Sequence, residues 1–358
     1  MAGLKISIIL PFPVTKPVGG AKIMYEYANR LCENGHQVSV YHSIKRPFKN
    51  SKTPVRIKQL IFFFRGVARP DWFPLHKKIK SVIVPEIKNR YLPDADIVLS
   101  TWWQMAYAVN DLSPAKGKKF NLIQDYENWD GQQAAVDNSF NLPLNHMVIS
   151  RYLQKLVEEK SGSKPFHLPN AIDTDKFFNR KALSARDPYT LIMLCSSEPR
   201  KGSQTGLKVL ETVQQKLPQL RAILFGVDPA PKDMPARVTY HQKPAALCDL
   251  YNSTAVFFSP SIAEGWALPP AEAMACGCAV VCTDIGGHAD YATDGETALL
   301  VEPGNINDMA EKIIAVMENN TLRNKLSANG QQLINTEFSW ARSIKKLETC
   351  FCNSSEIN

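Results

Sequence analysis

The chain has 358 residues, more than the roughly 250–300 at which a single hydrophobic core stops growing, so two domains are expected. Its 44% apolar and 21% charged residues are typical of globular proteins, and no apolar run approaches the roughly 20 residues that a membrane-spanning helix needs. The formal net charge is +8, and the excess of cations lies in the first half, where residues 1–170 hold 24 Lys and Arg against 13 Asp and Glu.

Short apolar runs alternate with amphipathic segments through this first half. The run at 4–10 is interpreted as a buried strand and not as a secretory signal, because Pro11 and Pro13 interrupt it and no small-residue cleavage site follows. In 20–34 apolar residues recur at helical spacing, which predicts a helix. Further strands are predicted at 37–41, 96–100, 120–124 and 146–149.

Residues 45–90 combine positive charge with aromatic side chains. They hold 13 Lys and Arg against 2 Asp and Glu, beside Ile61-Phe62-Phe63-Phe64, Trp72 and Phe73. Cations next to exposed aromatic residues suit an anionic membrane surface, with which each nearby cation contributes about 1 kcal/mol. Peripheral contact with the inner face of the plasma membrane is therefore one hypothesis. The alternative is a solvated loop whose aromatic residues pack inward. No motif supports nucleic-acid binding.

The alternation pauses at 163–190, where Pro165, Pro169 and Pro188 mark turns. We place the domain boundary there, near residue 168. A second series follows, with strands predicted at 190–195, 221–225, 255–259 and 279–283 and helices at 203–216 and 339–352. Strands that alternate with helices predict an α/β chain with two Rossmann-like domains, each built on a parallel sheet.

The eight cysteines form no Cys-x-x-Cys pair, and no histidine stands near them at metal-ligand spacing. Several lie in apolar runs, such as Cys195 and Cys282. We therefore predict buried, reduced thiols in a cytoplasmic protein. Asp94-Ala95-Asp96 precedes a predicted strand instead of following one, so it is interpreted as a polar turn, and no metal site is predicted.

The most informative stretch is 259–287. It predicts a strand to 259, a loop at 260–268, a helix at 269–276, a strand at 279–283 and a glycine-rich loop. Glu264 then lies on the loop and Glu272 in the first turn of the helix. A helix that starts at the carboxyl end of a parallel strand offers N–H groups to an anion, while carboxylates accept hydrogen bonds from sugar hydroxyls.

This stretch strongly resembles the signature of family 4 glycosyltransferases, which are retaining enzymes of the GT-B fold. Glu264 and Glu272 match two glutamates eight positions apart, of which the family uses the first for the donor sugar and the second for the ribose. The loop between them, Gly265-Trp266-Ala267-Leu268, and Gly286-Gly287 match as well. The resemblance implies two Rossmann-like domains whose parallel sheets face a cleft, and a nucleotide-diphosphate sugar as donor with no other cofactor.

Arg200 and Lys201 follow the predicted strand 190–195 in Glu198-Pro199-Arg200-Lys201-Gly202. Adjacent cations at such a turn can neutralise a diphosphate leaving group. The resemblance implies that Lys201 is the phosphate-binding lysine. The family's arginine stands a few residues earlier, where this chain has Cys195-Ser196-Ser197, so Arg200 or another group replaces it.

In the N-terminal half, Gly19 and Gly20 match the family's Gly-Gly loop, which faces the diphosphate and the acceptor. Where many members have a histidine after the strand at 120–124, this chain has Gln124-Asp125-Tyr126-Glu127. That variant resembles a subgroup that builds bacterial envelope polysaccharides. Asp125 either positions the acceptor or transferred sugar, or caps a turn.

The region 225–247 is the candidate for base contacts, with Phe225, Gly226 and Lys243 as candidate ligands. Phe338-Ser339-Trp340 resembles the family's end, where the last helix returns to the first domain. The predicted domains are thus 1–168 on the acceptor side, 169–338 for the nucleotide sugar, and 339–358 as the returning helix.

The predicted function is retaining transfer of a hexosyl or deoxyhexosyl group to a glycan or lipid-linked acceptor in cell-surface polysaccharide synthesis. Three alternatives stay open: a nucleotide-sugar epimerase of the same fold, a glycosidase that uses Glu264 and Glu272 as paired carboxylates, and a non-catalytic nucleotide-sugar-binding subunit.

Overall fold

The computed structural model describes residues 3–49, 53–128 and 131–353, and these fall into two compact units. The first contains the chain up to Pro169 and again from Ile344, and the second contains Asn170–Ser343. Each unit has its own parallel sheet covered by helices. Within the described residues, no helix combines the length and the apolar character needed to cross a membrane.

The first unit is built on seven parallel strands. Their bounds are β1 Lys5–Leu10, β2 Gln37–Ser43, β3 Lys80–Val84, β4 Ile97–Thr101, β5 Lys118–Ile123, β6 Asn145–Val148 and β7 Phe166–His167. The order in the sheet is β3-β2-β1-β4-β5-β6-β7. The chain therefore reverses direction across the sheet between β1 and β4, and in open parallel sheets such a reversal leaves a crevice at the carboxyl ends of the two strands.

Helices from both ends of the chain belong to this unit. Those from the N-terminal half are α1 Gly19–Glu33, α2 Val55–Phe64, α3 Trp103–Asn110, α4 Gln133–Ser139 and α5 Arg151–Ser161, and the segment from Ile344 adds part of the C-terminal helix. Phe351, near the C-terminal end, packs edge-to-face on Phe120 of β5 with 4.9 Å between the ring centroids. Glu348 accepts a hydrogen bond from Asn34 and lies 3.1 Å from His36 Nε2.

The second unit is built on six parallel strands. Their bounds are β8 Thr190–Leu194, β9 Arg221–Gly226, β10 Val238–Gln242, β11 Val256–Ser259, β12 Ala279–Thr283 and β13 Leu299–Val301, in the sheet order β10-β9-β8-β11-β12-β13. The helices are α6 Ser203–Lys216, α7 Leu247–Ser253, α8 Leu268–Ala275, α9 Ile306–Glu318, α10 Asn320–Glu337 and α11 Trp340–Asn353, the last of which continues into the first unit. Here the chain reverses between β8 and β11.

The cysteines are free thiols, as predicted from their apolar surroundings. Seven are buried and Cys352 is exposed. Burial raises the pKa of several of these thiols, among them Cys195 and Cys350, the latter to about 11. They are therefore protonated and unreactive at neutral pH.

Helix α2 presents its apolar side chains to solvent. None of its ten residues is buried, and Phe63 and Phe64 are 76% and 81% exposed. Ile57, Leu60, Ile61 and Phe64 are all exposed and stand at the i, i+3, i+4, i+7 spacing of one helical face. In a helix that packs on its own domain this stripe would face inward. We call these four residues the α2 apolar face.

The aromatic residues after α2 behave differently. Phe73 is buried, and Trp72 donates a hydrogen bond from Nε1 to the carbonyl of Val14 at 2.8 Å. Both rings pack against Tyr25. Trp72 and Phe73 therefore fit the alternative in which the aromatic residues pack inward, because both rings contact the buried side of α1.

Candidate active site

The candidate site lies where the chain reverses direction in the second sheet. Lys201 ends a short 3-10 turn, Pro199–Lys201, that follows β8, and Glu264 lies on the loop that follows β11. β8 and β11 are adjacent and parallel, so the two loops emerge at the same edge. The turn can approach because Gly202 adopts φ +65° and leaves room for the carbonyl of Pro260, which would lie 2.0 Å from a Cβ at that position.

Lys201 and Glu264 form a partly buried ion pair. The ammonium donates to both carboxylate oxygens, each at 2.8 Å, and Glu264 is 8% exposed. Ser261 adds a third hydrogen bond to Glu264 Oε1 at 3.0 Å. These contacts fix the carboxylate in one orientation while compensating its charge.

Arg200 stands beside this pair. Its Nη1 lies 3.8 Å from Glu264 Oε2, and its Nε pairs with Glu198. The structure therefore brings Arg200, Lys201 and Glu264 together, as predicted. The Ser196-Ser197 segment, which stands where the family's arginine is expected, instead donates main-chain hydrogen bonds to Ser203 and Asp228.

A small hollow, in part open to solvent, adjoins the ion pair. Lys201, Ser261, Glu264, Ala267 and the two prolines that open α8 line it. The Lys201 ammonium and the Glu264 carboxylate are thus presented to one space, and the ammonium suits an anionic group there.

Glu272 lies on α8 but does not line this hollow. The helix begins at Leu268, one residue earlier than predicted, so Glu272 is its fifth residue and no acidic residue lies in its first turn. The predicted position of Glu272 in the first turn was therefore wrong. Both prolines are accommodated in the first turn of α8, so the helix begins one residue earlier and Glu272 falls in its second turn. Glu272 is 5% exposed, and its Oε2 accepts a hydrogen bond from Tyr251 at 3.3 Å.

The remaining predicted residues of this unit are mostly buried. Gly265 is buried, and Trp266 packs on Tyr291 and Phe338 with centroid distances of 4.8 and 5.6 Å. Phe225 is buried and packs edge-to-face on Tyr251. Lys243 is exposed, and its N–H donates to the carbonyl of Gly226 at 2.7 Å.

His288 lies behind the glutamate loop and was not predicted as a site residue. It is 1% exposed, and its Nδ1–H donates to the carbonyl of Thr283 at 2.8 Å. Burial lowers its pKa, the lysine charge of Lys201 acting in the same direction and that of Glu264 against it, so the ring is neutral. Its Nε2 has no hydrogen-bond partner among the described residues.

In the first unit, the predicted residues follow β1 and β5. Gly19 and Gly20 open α1, and Gln124 donates from Nε2 to the carbonyl of Gly20 at 3.1 Å and to Thr101 at 2.9 Å. Asp125 accepts a hydrogen bond from the N–H of Tyr126 at 2.9 Å. Glu127 accepts one from the N–H of Trp103, at the start of α3.

Comparison with known proteins identifies the second unit. Residues 175–333, which include both glutamates and the Arg200–Lys201 turn, match the family model described as glycosyl transferases group 1. The second unit is a glycosyl transferase group 1 domain. The predicted enzyme class, a glycosyltransferase, is that of the family whose model matches this unit.

Relatives of this glycosyl transferase domain cover the chain unevenly. A phosphatidyl-myo-inositol mannosyltransferase of Mycobacterium tuberculosis is 27% identical over 214 residues, which is 55% of this chain and 56% of that protein. A capsular polysaccharide biosynthesis glycosyltransferase, CapM of Staphylococcus aureus, is 32% identical over 101 residues, 28% of this chain and 27% of that protein. The chain thus spans little more than half the length of the first of these relatives.

The fold extends over both units. Anabaena Alr3699/HepE, solved in complex with UDP-glucose, superimposes with a TM-score of 0.72 at 16% identity, covering 97% of this chain and 99% of that one. The predicted α/β GT-B architecture, with two parallel sheets, is therefore confirmed.

Proposed function

We propose that this chain is a retaining glycosyltransferase that takes a sugar from a nucleotide diphosphate. The observation that carries the proposal is the Lys201–Glu264 ion pair with Arg200 beside it, at the carboxyl edge of β8 and β11 in a glycosyl transferase group 1 domain. Two cations and one oriented carboxylate are the groups needed to hold a diphosphate next to a sugar.

In the proposed reaction, the bond between the sugar C1 and the diphosphate oxygen breaks, and C1 forms a bond to the acceptor oxygen on the same face. The departing diphosphate gains negative charge, which Lys201 and Arg200 stabilise. The acceptor hydroxyl gives its proton to the leaving phosphate, so the enzyme needs no separate general base. Glu264 accepts hydrogen bonds from the sugar, and Glu272 from the ribose.

The ion pair also explains how a carboxylate can lie beside a diphosphate. With its ammonium 2.8 Å from both oxygens of Glu264, Lys201 compensates a charge that would otherwise repel the donor. We propose that Lys201 then divides its three N–H groups between Glu264 and the phosphate.

The test is a thermal-shift panel of UDP-, GDP- and dTDP-sugars, since a ligand that binds only the folded state raises Tm. The nucleotide sugar that raises Tm is then used as the donor in turnover assays with glycan and lipid-linked acceptors. NMR determines the anomeric configuration of the product. Retention supports the proposal and inversion contradicts it. An isomerised donor in the absence of acceptor would indicate an epimerase instead, and binding without turnover a non-catalytic subunit.

A glycosidase is disfavoured by the geometry of the glutamates. Paired catalytic carboxylates must flank the same bond, but Glu272 is directed to Tyr251 and does not line the hollow that Glu264 lines. Hydrolysis of a simple glycoside without nucleotide would overturn this reading.

For the acceptor, we propose a lipid-linked or growing glycan of a cell-surface polysaccharide, with Asp125 positioning it. The names of the mannosyltransferase and capsular relatives support this class of acceptor. Asp125→Asn should then lower turnover while leaving donor affinity unchanged, and equal losses of both would contradict the role.

We also propose that the protein is cytoplasmic and reaches this acceptor at an anionic membrane through the α2 apolar face. The face is exposed, and the sequence around it holds Lys45, Arg46, Lys49, Arg56, Lys58 and Arg65 with no Asp or Glu between Glu33 and Asp71. Apolar side chains that enter the lipid boundary next to cations that meet anionic headgroups are the pattern of an interfacial helix.

Vesicle cosedimentation tests this surface. The full chain should bind phosphatidylcholine vesicles that contain phosphatidylglycerol, bind pure phosphatidylcholine much less, and lose binding in high salt. Leu60→Ser combined with Phe64→Ser should abolish binding, whereas Phe178→Ser, an exposed phenylalanine of the second unit, should not. The proposal would be overturned if the full chain does not bind vesicles and light scattering instead shows a dimer that the same double substitution dissociates.

A further inference from the structure

Tyr251 connects α7 to Glu272 in the interior of the second unit. Its hydroxyl lies 3.3 Å from Glu272 Oε2, and the two side chains are 0% and 5% exposed. A buried carboxylate needs hydrogen-bond donors, since leaving it unsatisfied costs several kcal/mol. The tyrosine supplies one from the helix next to α8.

The phenol is held too tightly to follow the carboxylate. Its ring packs edge-to-face on Phe225 at 5.7 Å and Phe257 at 6.0 Å, and a tilted Phe177 lies at 6.0 Å. Its main-chain carbonyl accepts hydrogen bonds from Arg186 Nη1 and Cys278 Sγ, both at 3.1 Å. Both ends of the residue are thus fixed, and the hydroxyl is a rigid reference point.

A second contact keeps the two helices in register. Cys248, three residues before Tyr251, lies 3.8 Å from Cys276, four residues after Glu272, measured between the sulfurs. The spacings i, i+3 on α7 and i, i+4 on α8 put both contacts on facing sides of the helices. Burial and the adjacent carboxylate raise the pKa of Tyr251 well above its usual value, so the hydroxyl remains a donor.

We infer that Tyr251 is a positioning residue for donor binding, whose hydroxyl holds the Glu272 carboxylate in the orientation that receives the nucleotide ribose. The inference rests on the proposed function of Glu272. Without this hydrogen bond the Glu272 carboxylate loses one of the donors that fix its orientation, and binding must then order it again. The loss falls on donor affinity and not on the bond-breaking step.

The test is Tyr251→Phe, which keeps the ring and removes the hydroxyl. Loss of one hydrogen bond to a charged group should raise the donor Kd and KM by about five- to tenfold, with kcat at saturating donor within about twofold of the wild type. Tyr25→Phe is the control, because Tyr25 is equally buried, lies in the first unit, and has a hydroxyl with no hydrogen-bond partner among the described residues.

A double-mutant cycle with Glu272→Ala separates positioning from general support of the fold. If Tyr251 acts through Glu272, Tyr251→Phe has no further effect on donor Kd once Glu272 is alanine. A lower Tm with unchanged Kd, or additive effects on Kd, would overturn the inference. If Glu272→Ala itself leaves donor Kd unchanged, the assignment of Glu272 fails instead, so the two failures are distinguishable.

Discussion

Lys201 donates to both carboxylate oxygens of Glu264, at 2.8 Å each, across the point where the second sheet reverses direction. The pair joins the loop after β8 to the loop after β11, so any change to one partner alters the surroundings of the other. It also places a cation where the proposed leaving group needs one.

Lys201→Ala should lower kcat/KM for the nucleotide sugar by about 10²- to 10³-fold, the range seen when one charge-stabilising group is removed. The loss has two sources, since the leaving group loses a cation and Glu264 is left without its main partner. Steady-state kinetics with the donor found in the thermal-shift panel measure it. Lys208→Ala, on the exposed side of α6, is the matched control, and equal kinetics in the two variants would remove Lys201 from the site.

Gly287→Ala should disturb Glu264 directly. A Cβ at this position would lie 2.4 Å from both the Cβ and the carbonyl oxygen of Glu264, distances at which the main chain must move. We expect donor affinity to fall by at least about tenfold, which corresponds to roughly 1.4 kcal/mol. Titration calorimetry with the nucleotide sugar measures the change. Unaltered affinity in a variant with a native circular dichroism spectrum would show that the loop tolerates the shift.

Arg186→Met should destabilise the second unit. The guanidinium is 4% exposed and donates to the carbonyls of Tyr251, Thr254 and Cys276, which close the ends of α7 and α8. Methionine fills a similar volume but donates no hydrogen bond to any of these carbonyls, for an expected loss of at least about 3 kcal/mol. Urea unfolding measures it. Arg221→Met, a change at a largely exposed arginine, should cost less than about 1 kcal/mol.

Acid should destabilise the first unit through His42. Burial lowers its pKa to about 4, from an ordinary value near 6.5. The unfolded chain therefore binds this proton first, so the contribution of His42 to stability is complete above pH 6.5 and is lost as the pH falls toward 4. The loss amounts to about 3 kcal/mol. His42→Gln should make the free energy of unfolding less dependent on pH across this range, and an unchanged slope would contradict the assignment.

The sequence predicts the central strands and misses the edges. Strands such as β1, β8 and β12 are buried on both faces and appear as continuous apolar runs. The four strands not predicted are β3, β7, β10 and β13, and each is an edge strand of its sheet. Edge strands are partly exposed or only two or three residues long, as in β7 and β13, so they lack the apolar run that reveals the others.

The same distinction applies to the site. Arg200, Lys201 and Glu264 could be predicted because they follow central strands, and the carboxyl ends of neighbouring parallel strands must lie at one edge. The direction of Glu272 could not, since it depends on where α8 begins and on the packing of Tyr251 from α7. The outward direction of the α2 apolar face is likewise a property of packing, because its periodicity is that of an ordinary buried helix.

The passage of α11 from the second unit into the first constrains the design of chimaeric proteins. The final turns of this helix belong to the core of the first unit, where Phe351 packs on Phe120 and Glu348 meets Asn34 and His36. A fragment that stops at Pro169 would lack these partners and leave part of its β-sheet uncovered. An exchange of donor specificity between relatives should therefore graft Asn170–Ser343 as an insert and keep the recipient's own C-terminal segment.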